Sequence, residues 1–412
     1  MKKTVLNLSA IDYSGAGKFT THFNDLLLGA GYDSYLIVRD VKANYPHAIH
    51  YPDSKFENSL PKIRRKIFQK EWSKVSLDYD YYFYNSFEKY PRATAKKLLS
   101  LIPKKPDTIV IHWVTDFINT KLIDELCQLT GAQIVWLMLD NAPMTGGCHY
   151  PWECGGYHND CSDCPAIVDA NYHWLPQKNL AFKKQHLPSN TRLLVFSEND
   201  YERAMCSSVF KNQQIMKMPG YFVDEAKYSP GDKMAAKDFF SLPKDHRVIF
   251  FGATSLDERR KGIQLFIDAL KTIDLTNVTL LVAGAATLPL QYENMKLVGN
   301  LSEEDLIKAY QAADIFVCPS LEDSGPTMIN QAVLCGTPVV SFKTGLGSEL
   351  VHTRETGYLA AFGSSEDLAK GIDYLIRLPQ AELDIISKQC RDFTMNLYGG
   401  RDRYLQILEN AL

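Results

Sequence analysis

The chain has 412 residues, 45% of them hydrophobic, and a formal net charge of −3 at pH 7. That length suits two domains of roughly 150–200 residues, each with its own core. The balanced charge argues against general nucleic-acid binding and leaves room for local basic patches. No run of about 18 apolar residues occurs, so no transmembrane helix is expected. The short apolar run after Met1-Lys2-Lys3 lacks the length and cleavage region of a signal peptide. A cytoplasmic protein is expected, and its nine cysteines should then be thiols or thiolate ligands more readily than disulfides.

Short apolar runs alternate with helix-like stretches throughout, the pattern of α/β domains with parallel sheets. In the first half, strands are expected at Thr4–Ser9, Ser34–Arg39, Thr108–Trp113, Gln133–Leu139 and Arg192–Ser197. In the second half they are expected at Arg247–Gly252, Thr279–Ala283, Lys296–Val298, Ile315–Pro319 and Pro338–Phe342. Amphipathic stretches such as Phe19–Leu28, Gly262–Leu270 and Glu303–Ala312 lie between them. Pro219–Pro243 has Gly, Pro and charge without a clear apolar period, which marks a linker and a boundary near residue 222.

In the N-terminal half, Ser14-Gly15-Ala16-Gly17 reads as a tight loop joining the first strand to the first helix. His112 and Asp140 fall at carboxyl ends of expected strands, where open α/β sheets bind ligands. A hydrogen-bonded core histidine is an equal reading of His112, and Asp140 is the candidate general base. Pro61–Lys74 carries six basic residues against one acid, interleaved with Ile63, Ile67, Phe68 and Trp72. It reads either as a solvated helix with its apolar stripe on the domain, or as a peripheral contact with an anionic membrane through Phe68 and Trp72.

The cysteines Cys148, Cys154, Cys161 and Cys164 follow a C-x5-C-x6-C-x2-C spacing with His149 and His158 nearby. Four thiolates suit a closed, structural zinc site. Free thiols and disulfides are the alternatives.

In the C-terminal half, an apolar strand runs into Pro319-Ser320-Leu321-Glu322-Asp323-Ser324-Gly325-Pro326-Thr327 and a helix at Met328–Leu334. Ser324 suits a cap and Pro326 the first helical turn. The amides of Gly325–Thr327 at such a helix start favour a diphosphate. Upstream, Arg260-Lys261-Gly262 opens another helix, and Lys261 can meet a phosphate as a point charge.

These stretches resemble family 4 glycosyltransferases of the GT-B superfamily. The likeness rests on Phe251-Gly252-Ala253, Arg260-Lys261-Gly262, Pro319-Ser320-Leu321-Glu322-Asp323, Gly336-Thr337-Pro338-Val339-Val340 and Gly357-Tyr358-Leu359. It implies an α/β GT-B fold: two Rossmann-like domains with parallel sheets facing across a cleft. The acceptor-side domain would span 1–222 and the nucleotide-sugar domain 223–397, with a C-terminal helix at 398–412 returning to the first. It further implies retaining, hexosyltransferase-type transfer from a UDP or GDP sugar, without a required metal. The acceptor would be a glycan or lipid-linked molecule, on the inner face of the plasma membrane. The Thr-Gly-Gly-Cys-His-Tyr stretch resembles a subgroup associated with exopolysaccharide and lipopolysaccharide assembly.

By that resemblance Lys261 pairs with the donor diphosphate and the Gly15-Ala16-Gly17 loop contacts acceptor or diphosphate. Many members carry two glutamates, seven residues apart in between, for sugar and ribose. Here one register pairs Glu322 with Asn330. The other, anchored on Gly336-Thr337-Pro338 and preferred on that ground, pairs Asp323 with Gln331, with Glu322 still near the sugar. Ala253 stands where many members have an arginine, and Arg260 is the candidate substitute. Leu139 stands where relatives have a histidine that contacts the sugar near its 6-hydroxyl, so a donor with an apolar C6 is expected. Competing expectations are another GT-B activity, such as epimerisation or glucan synthesis, and a catalytically degenerate sugar-nucleotide-binding subunit.

Overall fold

The computed structural model describes residues 2–52, 63, 66–68, 70, 72–84, 88–220, 222–252, 258–284, 292–325, 327–398 and 400–412. The chain divides into two compact units. The first comprises Met1–Val195, Asn199–Met218 and Ile407–Leu412, the second Phe196–Glu198 and Pro219–Gln406.

The first unit is built on a parallel sheet. Its strands are β1 (Thr4–Ile11), β2 (Asp33–Asp40), β3 (Ala48–His50), β4 (Thr108–Ile111), β5 (Gln133–Leu137), β6 (Thr191–Val195) and β7 (Gln214–Lys217). Their order is β3-β2-β1-β4-β5-β6-β7, with parallel pairings throughout. All eight residues of β1 are buried, as expected of a central strand covered on both faces. The chain order reverses between β1 and β4, which opens a crevice at their carboxyl ends. The polar Asn7 in β1 is satisfied by Ser34 Oγ at 2.9 Å and by the His112 ring at 3.1 Å.

Ser14–Gly17 do not form a loop. They are the first turn of the Ser14–Gly29 helix, which starts directly off the strand. Gly17 permits this, because a Cβ there would lie 2.4 Å from the Asp12 carbonyl carbon. Strands β3 and β7, and the Gly357–Ala360 strand of the second unit, escaped the sequence reading because each is a short, partly exposed strand at a sheet edge and lacks the continuous apolar run of a buried central strand. The Pro219–Pro243 stretch contains a helix, Lys233–Phe239, capped by Asp232 on the amides of Met234 and Ala235. At the carboxyl end of the chain, the Thr108 hydroxyl donates to the Leu412 carbonyl at 2.8 Å, inside the first unit.

The second unit has strands β8 (Arg247–Gly252), β9 (Val278–Ala283), β10 (Met295–Gly299), β11 (Ile315–Cys318), β12 (Val339–Phe342) and β13 (Gly357–Ala360). They form a parallel sheet in the order β10-β9-β8-β11-β12-β13. Its crevice lies between β8 and β11. The rings of Phe250, Phe316 and Tyr310 pack together beneath it, with centroids 5.3–5.6 Å apart.

Candidate functional site

In the second unit the two segments singled out by sequence meet at the β8/β11 crevice. After β8, a turn at Arg259–Lys261 precedes the Ile263–Leu270 helix. After β11, the chain runs through Glu322 and Asp323 into the Thr327–Leu334 helix. The Leu321 amide donates to the Arg260 carbonyl at 2.7 Å and ties the two turns together. Lys261 Nζ lies 2.6 Å from Asp323 Oδ2, and Arg260 lies 3.1 Å from the same oxygen. Arg260 also pairs with Glu258. Burial pushes the Asp323 carboxyl up, but Lys261 and Arg260 outweigh it and the net direction is down. Asp323 is thus a carboxylate already spent on the two cations.

Gln331 has its amide engaged within the fold: its Oε1 accepts from the Tyr310 hydroxyl at 3.1 Å and its Nε2 donates to the Tyr228 oxygen at 3.0 Å. With Asp323 on the cations and Gln331 on two tyrosines, the pair preferred from the Gly336 anchor is occupied internally. Glu322 and Asn330 are 4% and 0% exposed, and they occupy the turn and the first part of the helix. The Gly325 amide donates to Asp323 Oδ1 at 3.2 Å, so it does not stand open at the helix start as the sequence suggested. Ser324 is buried and Thr327 begins the helix. Ala253 and Pro326 lie outside the described residues.

In the first unit a cleft of about 430 Å³ includes His112, Trp113, Leu139, Asp140, Glu88 and Lys183 in its walls. His112 follows the core reading: it is 2% exposed, its Nε2 meets Asn7, and its ring packs edge-on to Phe23 at 5.2 Å. Burial pushes its imidazole down to about 3, so it is neutral. Gly15 and Ala16 sit in the first turn of the Ser14–Gly29 helix, and Gly15 has open space around it.

Asp140 is not an open base. Its Oδ2 accepts from Trp113 Nε1 and lies against His149 Nδ1, both at 2.7 Å, while Oδ1 accepts from the Ala142 amide at 2.9 Å. Burial pushes its carboxyl up, yet the His149 ring, the amide and the indole hold it below the ordinary range. The sequence reading missed His149 as the partner of Asp140, because its neighbours drew it toward the cysteines. It also missed Lys183, 1% exposed, whose Nζ donates to the carbonyls of Ala142 and Thr145 at 2.7 and 2.9 Å. That ammonium holds the Thr145-Gly146-Gly147 turn in place.

Cys148, Cys154, Cys161 and Cys164 all line one pocket of about 320 Å³ and are free thiols. Among the described residues, no three His, Cys, Asp or Glu side chains are gathered tightly enough to hold a metal ion. Part of Pro61–Lys74 lies outside the described residues. Phe68 and Trp72, which the membrane reading turned outward, stack on each other at 6.2 Å and pack against the cluster of Phe83, Ile167 and Leu175. No described helix is long and apolar enough to cross a membrane.

These features define a class, the GT-B fold. Across 99% of this chain, the structure matches sucrose-phosphate synthase from Thermosynechococcus elongatus (TM-score 0.66, 18% identity, 98% of that chain). It also matches Anabaena Alr3699/HepE in complex with UDP-glucose (TM-score 0.67, 14% identity, 99% of both chains). A third likeness is to WaaG, a glycosyltransferase involved in lipopolysaccharide biosynthesis (TM-score 0.64, 13% identity, 99% of this chain and 98% of that one). Residues 245–377 match the family described as glycosyl transferases group 1. D-inositol 3-phosphate glycosyltransferase from Mycobacteroides abscessus is 30% identical over 166 residues, 37% of each protein. The Mycobacterium tuberculosis enzyme of the same name is 30% identical over 171 residues, 38% of this chain and 35% of that protein. The matches to these relatives thus span little more than a third of their length.

Proposed function

We propose that the protein is a retaining glycosyltransferase that takes a sugar from a UDP or GDP sugar held by its second unit. The observation that carries this reading is the cation pair Lys261–Arg260 set against the turn that bears Glu322 and leads to Asn330. Lys261 and Arg260 meet the diphosphate, Glu322 the sugar hydroxyls, and Asn330 the ribose; Ser324 and Thr327 line the helix start. Complexes of Alr3699/HepE with UDP and UDP-glucose support a nucleotide-sugar donor in this fold.

In the step we propose, the bond from the anomeric carbon to the diphosphate oxygen breaks. The acceptor oxygen bonds to the same face of that carbon, and its proton passes to the departing diphosphate. No side-chain base is needed, in keeping with Asp140 being tied to His149. Lys261 and Arg260 stabilise the charge that grows on the diphosphate. The acceptor is a glycan or lipid-linked molecule of surface-polysaccharide assembly, met on the cytoplasmic side, and catalysis needs no metal.

Calorimetry with UDP, GDP and CMP, followed by turnover with a panel of nucleotide sugars, tests the reading. One diphosphonucleotide should bind and its sugar should be transferred with retained anomeric configuration. Binding without turnover would make the chain a sugar-nucleotide-binding subunit, and epimerisation without acceptor would make it a different enzyme.

A further inference from the structure

We propose that the cleft of the first unit holds one uncharged sugar ring of the acceptor by its hydroxyls and is closed to a phosphate. The word acceptor rests on the glycosyltransferase reading above; the binding itself does not.

Two hydrogen-bonding atoms in the cleft wall are uncommitted, and they are of opposite kind. His112 and Trp136 both line the cleft and are 2% and 4% exposed. Neither His112 Nδ1 nor Trp136 Nε1 has a hydrogen-bond partner among the described residues. The network around His112 fixes its tautomer. Asn7 Nδ2 donates to Ser34 Oγ at 2.9 Å and to Asn24 Oδ1 at 3.3 Å, and Asn7 Oδ1 is the atom 3.1 Å from His112 Nε2. An amide oxygen only accepts, so Nε2 carries the hydrogen and Nδ1 of the neutral ring keeps a bare lone pair. Trp136 Nε1–H can only donate. Buried polar atoms are seldom left without a partner, and a sugar hydroxyl, which donates and accepts at once, matches both.

The charges of the wall exclude an anion. Glu88 and Asp140 contribute two carboxylates. Lys183 is the one cation among the described residues that line the cleft. Its ammonium is taken up by the Ala142 and Thr145 carbonyls at 2.7 and 2.9 Å and by Glu88 Oε1 at 3.4 Å. A phosphate here would meet two carboxylates and no open ammonium or guanidinium. Glu88, by contrast, can accept from sugar hydroxyls beyond its one contact with Lys183.

Trp113 adds a flat apolar surface. Its indole lines the cleft and is held by Nε1–H donating to Asp140 Oδ2 at 2.7 Å. The His149 ring lies 5.7 Å from it, and the Tyr84 ring, 54% exposed, lies 5.2 Å from His149. A sugar sets its C–H face on such rings while its hydroxyls turn to the few polar atoms of the wall. A cleft of this chemistry extends a glycan and does not start one on a bare lipid phosphate, so another transferase must first set a sugar on the carrier.

The test uses the full chain with nitrogen-15-labelled tryptophan and no donor. The probes are methyl glycosides of hexoses and N-acetylhexosamines, and hexose phosphates. At least one methyl glycoside should shift the Trp136 indole N–H resonance, which is assigned through its backbone, so this readout needs no variant. By saturation-transfer NMR the same glycoside should bind Trp136→Phe roughly three- to tenfold more weakly, as loss of a neutral hydrogen bond requires. Trp174→Phe, outside the cleft, should bind it like wild type. No methyl glycoside that moves the Trp136 resonance, or a hexose phosphate that binds as tightly as its neutral counterpart, overturns the proposal. So does Trp136→Phe binding like wild type. Sugar binding without transfer from any nucleotide sugar would sink the glycosyltransferase reading alone, and transfer to a polyprenyl phosphate without glycoside binding would sink this proposal alone.

Discussion

Lys261 and Asp323 face each other at 2.6 Å in the second unit, with Arg260 on the same carboxylate oxygen at 3.1 Å. The carboxylate holds two cations in one direction before any anion arrives, so the site need not order them on binding. If these cations receive a diphosphate, Lys261→Ala removes a charge-assisted hydrogen bond. At about 1.5–3 kcal/mol for such a bond, the nucleotide dissociation constant should rise roughly 10- to 150-fold. Calorimetry checks this, with Lys261→Arg recovering part of the loss. Unchanged affinity in the alanine variant would place the diphosphate elsewhere.

Asp140 and Asp323 both have carboxyls held below the ordinary range. A folded-state pKa below the unfolded one contributes stability that is present above the unfolded value near pH 4. It is lost as the pH falls through the folded value. Asp140→Asn should therefore be destabilised by about 2–4 kcal/mol at neutral pH, since it uncouples a fully buried carboxylate from His149 and Trp113. The gap to wild type should narrow below about pH 4. Urea unfolding of both proteins at pH 7 and at pH 3.5 measures the gap, and a constant difference would contradict the linkage.

The sheet strands with long apolar runs were legible because a central parallel strand is buried on both faces, as β1 and β9 are. The two turns of the candidate site were legible too, since Arg260-Lys261-Gly262 and Pro319–Thr327 are contiguous in sequence and sit on strand-to-helix turns. What was hidden is pairing at a distance. Asp323 is committed by residues 62 and 63 positions away, Gln331 by Tyr228 and Tyr310, and Asp140 by His149 across a turn. A carboxylate or amide at the right spacing can be a ligand contact or an internal strut, and only its partners separate the two.

The two registers of the donor turn make opposite predictions. Asn330→Ala should weaken nucleotide binding about tenfold, as a lost ligand hydrogen bond would, and should lower stability as well, because Asn330 is fully buried. Gln331→Ala should leave binding near wild type and lower stability by about 1–2 kcal/mol, because it strands the hydroxyls of Tyr228 and Tyr310. Each variant is assayed both by calorimetry and by urea unfolding. If Gln331→Ala proves the binding-defective one, the register anchored on Gly336 is right after all.

Gly262 joins the Lys261 turn to its helix with φ +64°, and a Cβ there would stand 1.9 Å from the Pro319 carbonyl oxygen. The left-handed backbone alone costs an alanine about 1 kcal/mol. The overlap is worse, because the obstacle is main chain from the other half of the site and cannot rotate away. Gly262→Ala should therefore lower stability by about 2–4 kcal/mol. It should also push the Arg260–Lys261 turn away from Pro319, stretching the Leu321 amide to Arg260 carbonyl bond of 2.7 Å. Nucleotide affinity should fall with stability in this variant; Lys261→Ala also loses stability, because it leaves the largely buried Asp323 carboxylate to Arg260 alone, but it keeps the Leu321–Arg260 tie, so its affinity should fall through the missing ammonium and not through a displaced turn. Calorimetry and urea unfolding measure both quantities on both variants. A Gly262→Ala protein as stable as wild type would mean that β8 and β11 hold these turns more loosely than their hydrogen bond implies.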